Sequence, residues 1–224
     1  MSIPIVIGVT GHRDLRERDI PTLRVLVYAE LQKLKDTYSH SQLTMLNSLA
    51  AGADLLCAEV AMEVGVALIV PLPMPVEEYR RDFEDADLIR LDAALQKARD
   101  VFIAPVTEQY PEPVSREFLY RQASRYVALH SHVLLALWDG FPAKPDGCGT
   151  AEAVGFMLRR SFESGHSCFQ ARNDGAVIHI LTPRNSSYEV PVISIKLVEN
   201  EPGCLREVLC MTDALNEDAE ISNG

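Results

Sequence analysis

The sequence predicts an α/β fold, built on a mostly parallel sheet of about six or seven strands with helices on both faces. Three observations lead there. Short apolar, β-branched runs alternate along the chain with longer stretches whose apolar residues recur at helical spacing. Gly and Pro collect where one kind of segment gives way to the other. The chain has 224 residues, 47% of them hydrophobic, enough for a proper core in one large domain.

Each element has its own warrant. Ile3 to Val9 is short, apolar and β-branched, and reads as a buried strand. Asp19 followed by Pro21 marks a helix start, and Leu23, Leu26, Val27, Leu31 and Leu34 supply its apolar stripe. Leu43 to Leu49 is a second strand. Gly52 to Val64 is a second helix, closed by Gly65. Ala67 to Leu72 is a third strand, stopped by "PLPMP". Glu77 to Ala98 reads as an acidic helix with Leu88, Leu91, Leu95 and Ala98 on one side. Val101 to Pro105 is a fourth strand, Ser115 to Leu129 a helix, and His132 to Asp139 a fifth strand. A Gly- and Pro-rich loop leads to a helix beginning near Thr150, and Ala176 to Leu181 is a sixth strand. Val190 to Leu197 reads as an edge strand at the C-terminal side, because Pro191 suits an edge. The expected organisation is a single domain over 1–200 and an acidic, flexible tail over 201–224.

In parallel sheets of this kind, ligands bind beyond the carboxyl ends of the strands. Three strand-end loops carry suitable groups. "TGHRDL" offers the hydroxyl of Thr10, a tight turn at Gly11, and donors on His12 and Arg13 suited to phosphate or a base edge. Each of these residues also suits a plain turn. "SLAAGADLLCAE" brings small residues, Gly52 and Ala53 among them, to a helix start, with Asp54 to cap the helix or accept from a ribose hydroxyl. The third loop, "LWDGFPAKPDGCGTAEA", is the most pointed. Gly147, Gly149 and Thr150 precede a helix whose first N–H groups lack intrahelical partners. Trp138 can stack on a base or close the wall, with Asp139 beside it and Lys144 nearby. The loop is neither a Walker loop nor a GxGxxG fingerprint.

Composition narrows the partners. The formal charge is -11, from 21 basic and 32 acidic residues, which weighs against duplex nucleic acid. No run is long and apolar enough to span a bilayer, and no secretory core follows the N-terminus. A cytoplasmic protein with reduced thiols is expected, since Cys57, Cys148, Cys168, Cys204 and Cys210 are scattered. His130, His132, His166 and Cys168 lack ligand spacing, so no metal site and no cofactor are expected. The acidic run from Glu77 to Asp87 reads as a solvated face, though Tyr79 within it can face the pocket.

Taken together, "GVTGHRDL", "LAAGADLLCAEVA", "LIVPLPMPVEEYRRDF", "HVLLALWDG" and "GCGTAEAV" resemble the SLOG domains. These belong to a wider superfamily with the LOG proteins and the DNA-processing DprA proteins. The resemblance covers roughly residues 3–181. It implies a Rossmann-like three-layer fold and a sensor of nucleotide-derived ligands in bacterial immunity or stress signalling. It likens "GCGT" to the phosphate-gripping PGGxGT turn of LOG enzymes, with Asp146 in the place of the proline. LOG relatives hydrolyse nucleoside 5′-monophosphates. Their glutamate three residues after the threonine falls here on Ala153, and the nearby acid is Glu152. Their arginine on the helix before the glycine loop has Arg121 and Arg125 nearby in this chain, neither in the aligned position.

The expectation is therefore a nucleotide-binding module using Thr10, Gly11, His12, Arg13, Gly52, Ala53, Asp54, Tyr79, Trp138, Asp139, Gly147, Gly149 and Thr150. The alternative is a phosphoribohydrolase in which Glu152, Arg121 and Arg125 are catalytic. DprA-like binding of single-stranded DNA ranks third, because the chain is acidic and lacks a basic, aromatic-rich face. A second copy of the chain, or an effector protein, is a further expected partner.

Overall fold

A computed structural model describes residues 3–109, 113–141, 149–163, 176–186, 195–201 and 204–209. Eight strands form one sheet: β1 (Ile5–Gly11), β2 (Leu43–Leu46), β3 (Ala67–Leu72), β4 (Asp100–Ile103), β5 (Val133–Trp138), β6 (Ala176–Leu181), β7 (Ile195–Glu201) and β8 (Cys204–Leu209). Their order is β4-β3-β2-β1-β5-β6-β7-β8. The six strands from β4 to β6 run parallel, while β7 and β8 join antiparallel. The helices are α1 (Ile20–Thr37), α2 (Ala53–Glu63), α3 (Val76–Tyr79), α4 (Asp85–Lys97), α5 (Arg116–Leu129) and α6 (Thr150–Glu163). This is the expected α/β fold, Rossmann-like, with one strand more than the upper expectation.

Strand alternation separates the layers, because successive side chains leave the sheet on opposite faces. Ile7, Val9, Met45, Leu135, Leu137, Ile178 and Ile180 pack in one cluster with Leu23, Val27 and Leu31 of α1, most of α2, and Leu91 and Ala94 of α4. Leu134, Ala136 and Val177 point the other way, onto Val127 and Ala128 of α5 and Val154, Phe156 and Met157 of α6. Strand β5 serves both faces, which is why "VLLALW" is apolar throughout.

Local signals explain most boundaries. Pro21 lies in the first turn of α1, where a missing N–H costs nothing. Asp19 stands at the N-cap, but its carboxylate takes Arg16 Nε at 2.6 Å instead of capping. The Ser115 Oγ caps α5 by accepting from Phe118 N at 3.1 Å. Gly65 takes φ +72° just past α2.

Several expectations need correction. The helix expected over 77–98 is broken into α3, a 3-10 turn over Arg80–Asp82, and α4. Its cause is Tyr79, which turns inward to 1% exposure and meets the extended Phe83 edge-to-face at 4.9 Å. Burying that ring pair outweighs the helical preference of the local sequence. The edge strand expected over 190–197 is found as β7 over 195–201, and β8 covers its outer side. Residue 200, the expected domain boundary, therefore lies within β7, and part of the expected tail forms β8. Residues 210–224 and Pro191 lie outside the described residues. Among the described residues, no helix is long and apolar enough to cross a membrane.

Candidate functional site

The chain leaves β1 toward β2 on one side of the sheet, while β5 and β6 lie on the other. Loops at the carboxyl ends of β1 and β5 therefore diverge, and a crevice opens between them. A cleft of about 760 Å³ occupies this position. Its walls come from the end of β1, the β2–α2 loop, α5, the end of β5, the start of α6 and the loop after β6.

The β1 wall holds Thr10, Gly11, His12 and Arg13, all four on the cleft. Gly11 is required by packing: a Cβ there would stand 2.3 Å from the Ala53 Cβ. His12 is buried and anchored through its main chain, donating to Leu137 O at 3.1 Å and accepting from Ala53 N at 3.0 Å. Its ring Nε2 accepts from the Asp139 main-chain N–H at 2.9 Å. Burial, with Arg184 adding to it, holds the imidazole below its ordinary pKa despite the Asp139 carboxylate 3.2 Å away. A neutral ring accepting at Nε2 agrees with that direction. Arg13 lays its guanidinium over the Tyr120 ring, 4.8 Å from the centroid.

The β2–α2 loop is held tightly. Asn47 is fully buried; its Nδ2 donates to Asp54 O at 2.8 Å and its Oδ1 accepts from Leu49 N at 2.7 Å. Leu49 takes φ +59° and Gly52 φ +80°. A Cβ on Gly52 would stand 2.4 Å from Arg13 O and 2.6 Å from His12 O, so only glycine fits. Ser48, Ala50 and Asp54 face the cleft, whereas Gly52 and Ala53 are not among its lining residues. Tyr79 braces the loop from below, its hydroxyl donating to Ser48 O at 3.1 Å. Burial pushes the Asp54 carboxyl up to about 7, although Ala50 N–H and Arg13 pull the other way.

Across the cleft stand Trp138 and Asp139 at the end of β5, Phe141 beyond them, and Gly149, Thr150 and Ala151 opening α6. Trp138 leans on His179, ring centroids 5.1 Å apart. Gly149 O accepts from Glu152 N at 3.0 Å and Ala153 N at 3.1 Å, which starts the helix and leaves the Thr150 and Ala151 N–H groups without an intrahelical acceptor. A Cβ at Gly149 would meet only open space. Gly147, Lys144 and Asp146 lie outside the described residues.

Glu152, Arg121 and Arg125 come together, but not on the cleft lining. Arg121 Nε meets Glu152 Oε1 at 2.6 Å, and Arg121 and Arg125 both reach Glu108, at 2.7 and 2.5 Å. Their guanidinium groups lie over the Phe156 ring, 5.5 and 5.6 Å from its centroid. This cluster ties α5 to α6.

Sequence reasoning missed four cleft residues of note: Ser48, Tyr120, Arg184 and Ser186. Arg184 Nε meets Asp14 Oδ1 at 3.1 Å and Asp139 Oδ2 at 3.9 Å, while Ser186 Oγ donates to Asp14 Oδ2 at 2.6 Å. The rule about strand ends, applied to the loop after β6, would have found the last pair. Tyr120, whose hydroxyl hydrogen-bonds Asp82 beside Arg116, gives no such signal in a helix.

No protein-family model matches the chain, and no curated protein matches it. Two solved structures are similar in fold. One is DNA processing protein A from Helicobacter pylori, described for its single-stranded DNA binding mode, at 15% identity and a TM-score of 0.44 over 70% of this chain and 62% of that one. The other is DNA processing protein A (DprA) from Streptococcus pneumoniae, at 17% identity and a TM-score of 0.45 over 80% of this chain and 50% of that one. The match thus spans less than two thirds of either protein. The partner expectation, with its exclusion of duplex nucleic acid, is corrected here. One of these two proteins is described for binding single-stranded DNA, so a partner expectation drawn from overall charge does not stand as an exclusion. The physical reason is that net charge averages a whole surface, whereas binding depends on the face presented.

Proposed function

We propose that the chain is a cytoplasmic nucleotide-binding domain of the SLOG kind, acting as a sensor. The observation that carries this reading is the cleft between β1 and β5, with the open first turn of α6 on one wall and a hydrogen-bonding corner on the other. Its volume of about 760 Å³ suits a ligand of nucleotide size. Phosphate oxygens would take the N–H groups at Gly149 and Thr150, with Arg13 supplying positive charge. Trp138 and Phe141 offer apolar surface to a base. Thr10, His12 and Asp139 would set its orientation.

Sensing is preferred to hydrolysis for a specific reason. The Glu152 carboxylate is engaged by Arg121 and is not among the cleft residues. The test is a thermal-shift screen against AMP, ADP-ribose, NAD and cyclic nucleotides. A ligand at a hundred times its dissociation constant stabilises by about 2.7 kcal/mol. For a domain of this size that raises Tm by roughly 5–10 °C. A flat screen would overturn the reading. Base release from any bound nucleotide, abolished by Glu152→Gln, would replace sensing with hydrolysis.

A further inference from the structure

The β2–α2 corner holds polar groups that the fold itself leaves unused. The Ser48 Oγ is buried and has no hydrogen-bond partner among the described residues. The Asp54 residue is 7% exposed, and the one described hydrogen bond to its carboxylate is a long one, 3.4 Å, from Ala50 N. Leu49 between them stands at φ +59°, a left-handed conformation that strains a bulky residue. Asn47 and the Tyr79 hydroxyl hold the corner in that shape. Three costs thus meet on one cleft wall: a starved carboxylate, an orphaned hydroxyl and a strained turn. Among the described residues, only the long Ala50 N–H contact and the charge of Arg13 offset the first, and nothing offsets the second.

We infer that this corner is a subsite for a vicinal diol, with Asp54 accepting from its hydroxyls and Ser48 Oγ completing the set. The donor inventory supports the match. A carboxylate only accepts, a serine hydroxyl does both, and a diol brings two donors with lone pairs to spare. The aromatic rings near this corner are already engaged. Tyr79 is 1% exposed, and Arg13 covers the face of Tyr120. No free ring remains there, among the described residues, to sandwich a base, so a sugar fits better than a nucleobase. The inference rests on the nucleotide reading only in taking the diol to be that of a ribose phosphate.

A pH dependence follows from the same geometry. Asp54 faces Arg13 from the β1 side, Tyr79 from α3 and Cys57 within α2, with burial the largest influence. A diol that donates to Asp54 favours its ionised form, so affinity rises as pH passes upward through about 7.

The experiment is calorimetric titration with AMP, 2′,3′-dideoxy-AMP, GMP, 2′,3′-dideoxy-GMP, ribose 5-phosphate and free ribose. It uses the intact chain and its Asp54→Asn and Ser48→Ala variants, each checked for folding by circular dichroism. Loss of both hydroxyls is expected to weaken binding to the unsubstituted chain about tenfold or more. Asp54→Asn should erase most of that difference and flatten the pH series, in which it also controls for the ligand's own phosphate titration. Ser48→Ala should reduce the difference while remaining folded. Tight binding of free ribose would support the diol subsite but assign it to a sugar and not a nucleotide. Binding that ignores the hydroxyls in every nucleotide would overturn the subsite and leave the nucleotide reading standing. GMP binding that needs Asp54 but not the hydroxyls would give the corner to a base edge, and overturn it also. Binding by no compound would overturn the subsite, whereas the nucleotide reading falls only with a flat screen of the wider set that includes ADP-ribose, NAD and cyclic nucleotides.

Discussion

Asp54 places a carboxyl group where water barely reaches, and this has a thermodynamic consequence for the free protein. Its folded pKa of about 7 exceeds the ordinary value of 3.8. Between those two values the folded chain holds a proton that the unfolded chain has released. Stability contributed by this group is therefore greatest below about pH 4 and falls as pH rises toward 7. His12 works in the opposite direction. Its lowered pKa means stability is lost as pH falls below about 6.5. Asp54→Asn is expected to stabilise the ligand-free protein near pH 7 by on the order of 2–4 kcal/mol, with the gain shrinking toward pH 4. Urea denaturation across that pH range measures it; a gain independent of pH would show that Asp54 is ionised throughout. Sequence alone marked Asp54 as a cap or a ribose acceptor. The height of its pKa was not legible there, because burial depends on what Tyr79, Arg13 and α2 place around it.

At the scale of elements, two glycines at strand-to-helix corners look alike in sequence and differ in space. Gly52 combines φ +80° with main-chain oxygens 2.4 and 2.6 Å from where a Cβ would stand. Gly149 has open space and opens α6. Gly52→Ala should cost about 1–3 kcal/mol, read as a lower urea midpoint. Gly149→Ala should leave that midpoint within about 0.5 kcal/mol while weakening any phosphate ligand that approaches the first turn of α6. Equal losses of stability in the two variants would contradict this division. The same distinction applies to Gly11, which spacing alone offered as a ligand contact. It also lets α2 close onto β1, a role that appears only once Ala53 is seen 2.3 Å from its virtual Cβ. The break between α3 and α4 was equally hidden, since Tyr79 is drawn inward by contacts distant in sequence.

For the whole molecule, the sheet order sets a gradient of protection. β1 and β5 lie inside the parallel region, with helices on both faces, and Ile7, Leu134, Ala136 and Leu137 are fully buried. β4 forms one edge, and Val101 and Ile103 there are 37% and 52% exposed. Amide hydrogen exchange should therefore follow global unfolding in β1 and β5 and proceed faster, through local opening, in β4. Protection in β4 equal to that in β1 would mean that something covers this edge in solution.

The sequence by itself determined the α/β class, nearly every strand and helix of the parallel region, and three strand-end loops that reach the cleft, though not the one after β6. Those properties follow from local periodicity, from Gly and Pro at the boundaries, and from the rule that places ligands beyond strand carboxyl ends. Tertiary structure alone decided that β1 and β5 are the neighbours flanking the crevice. It decided that Glu152 pairs with Arg121 away from the cleft, and that Ser48 and Asp54 stand there with hydrogen-bonding capacity unspent. Pairing order, burial and hydrogen-bond satisfaction depend on residues far apart along the chain, brought together only when the sheet closes over its two layers of helices.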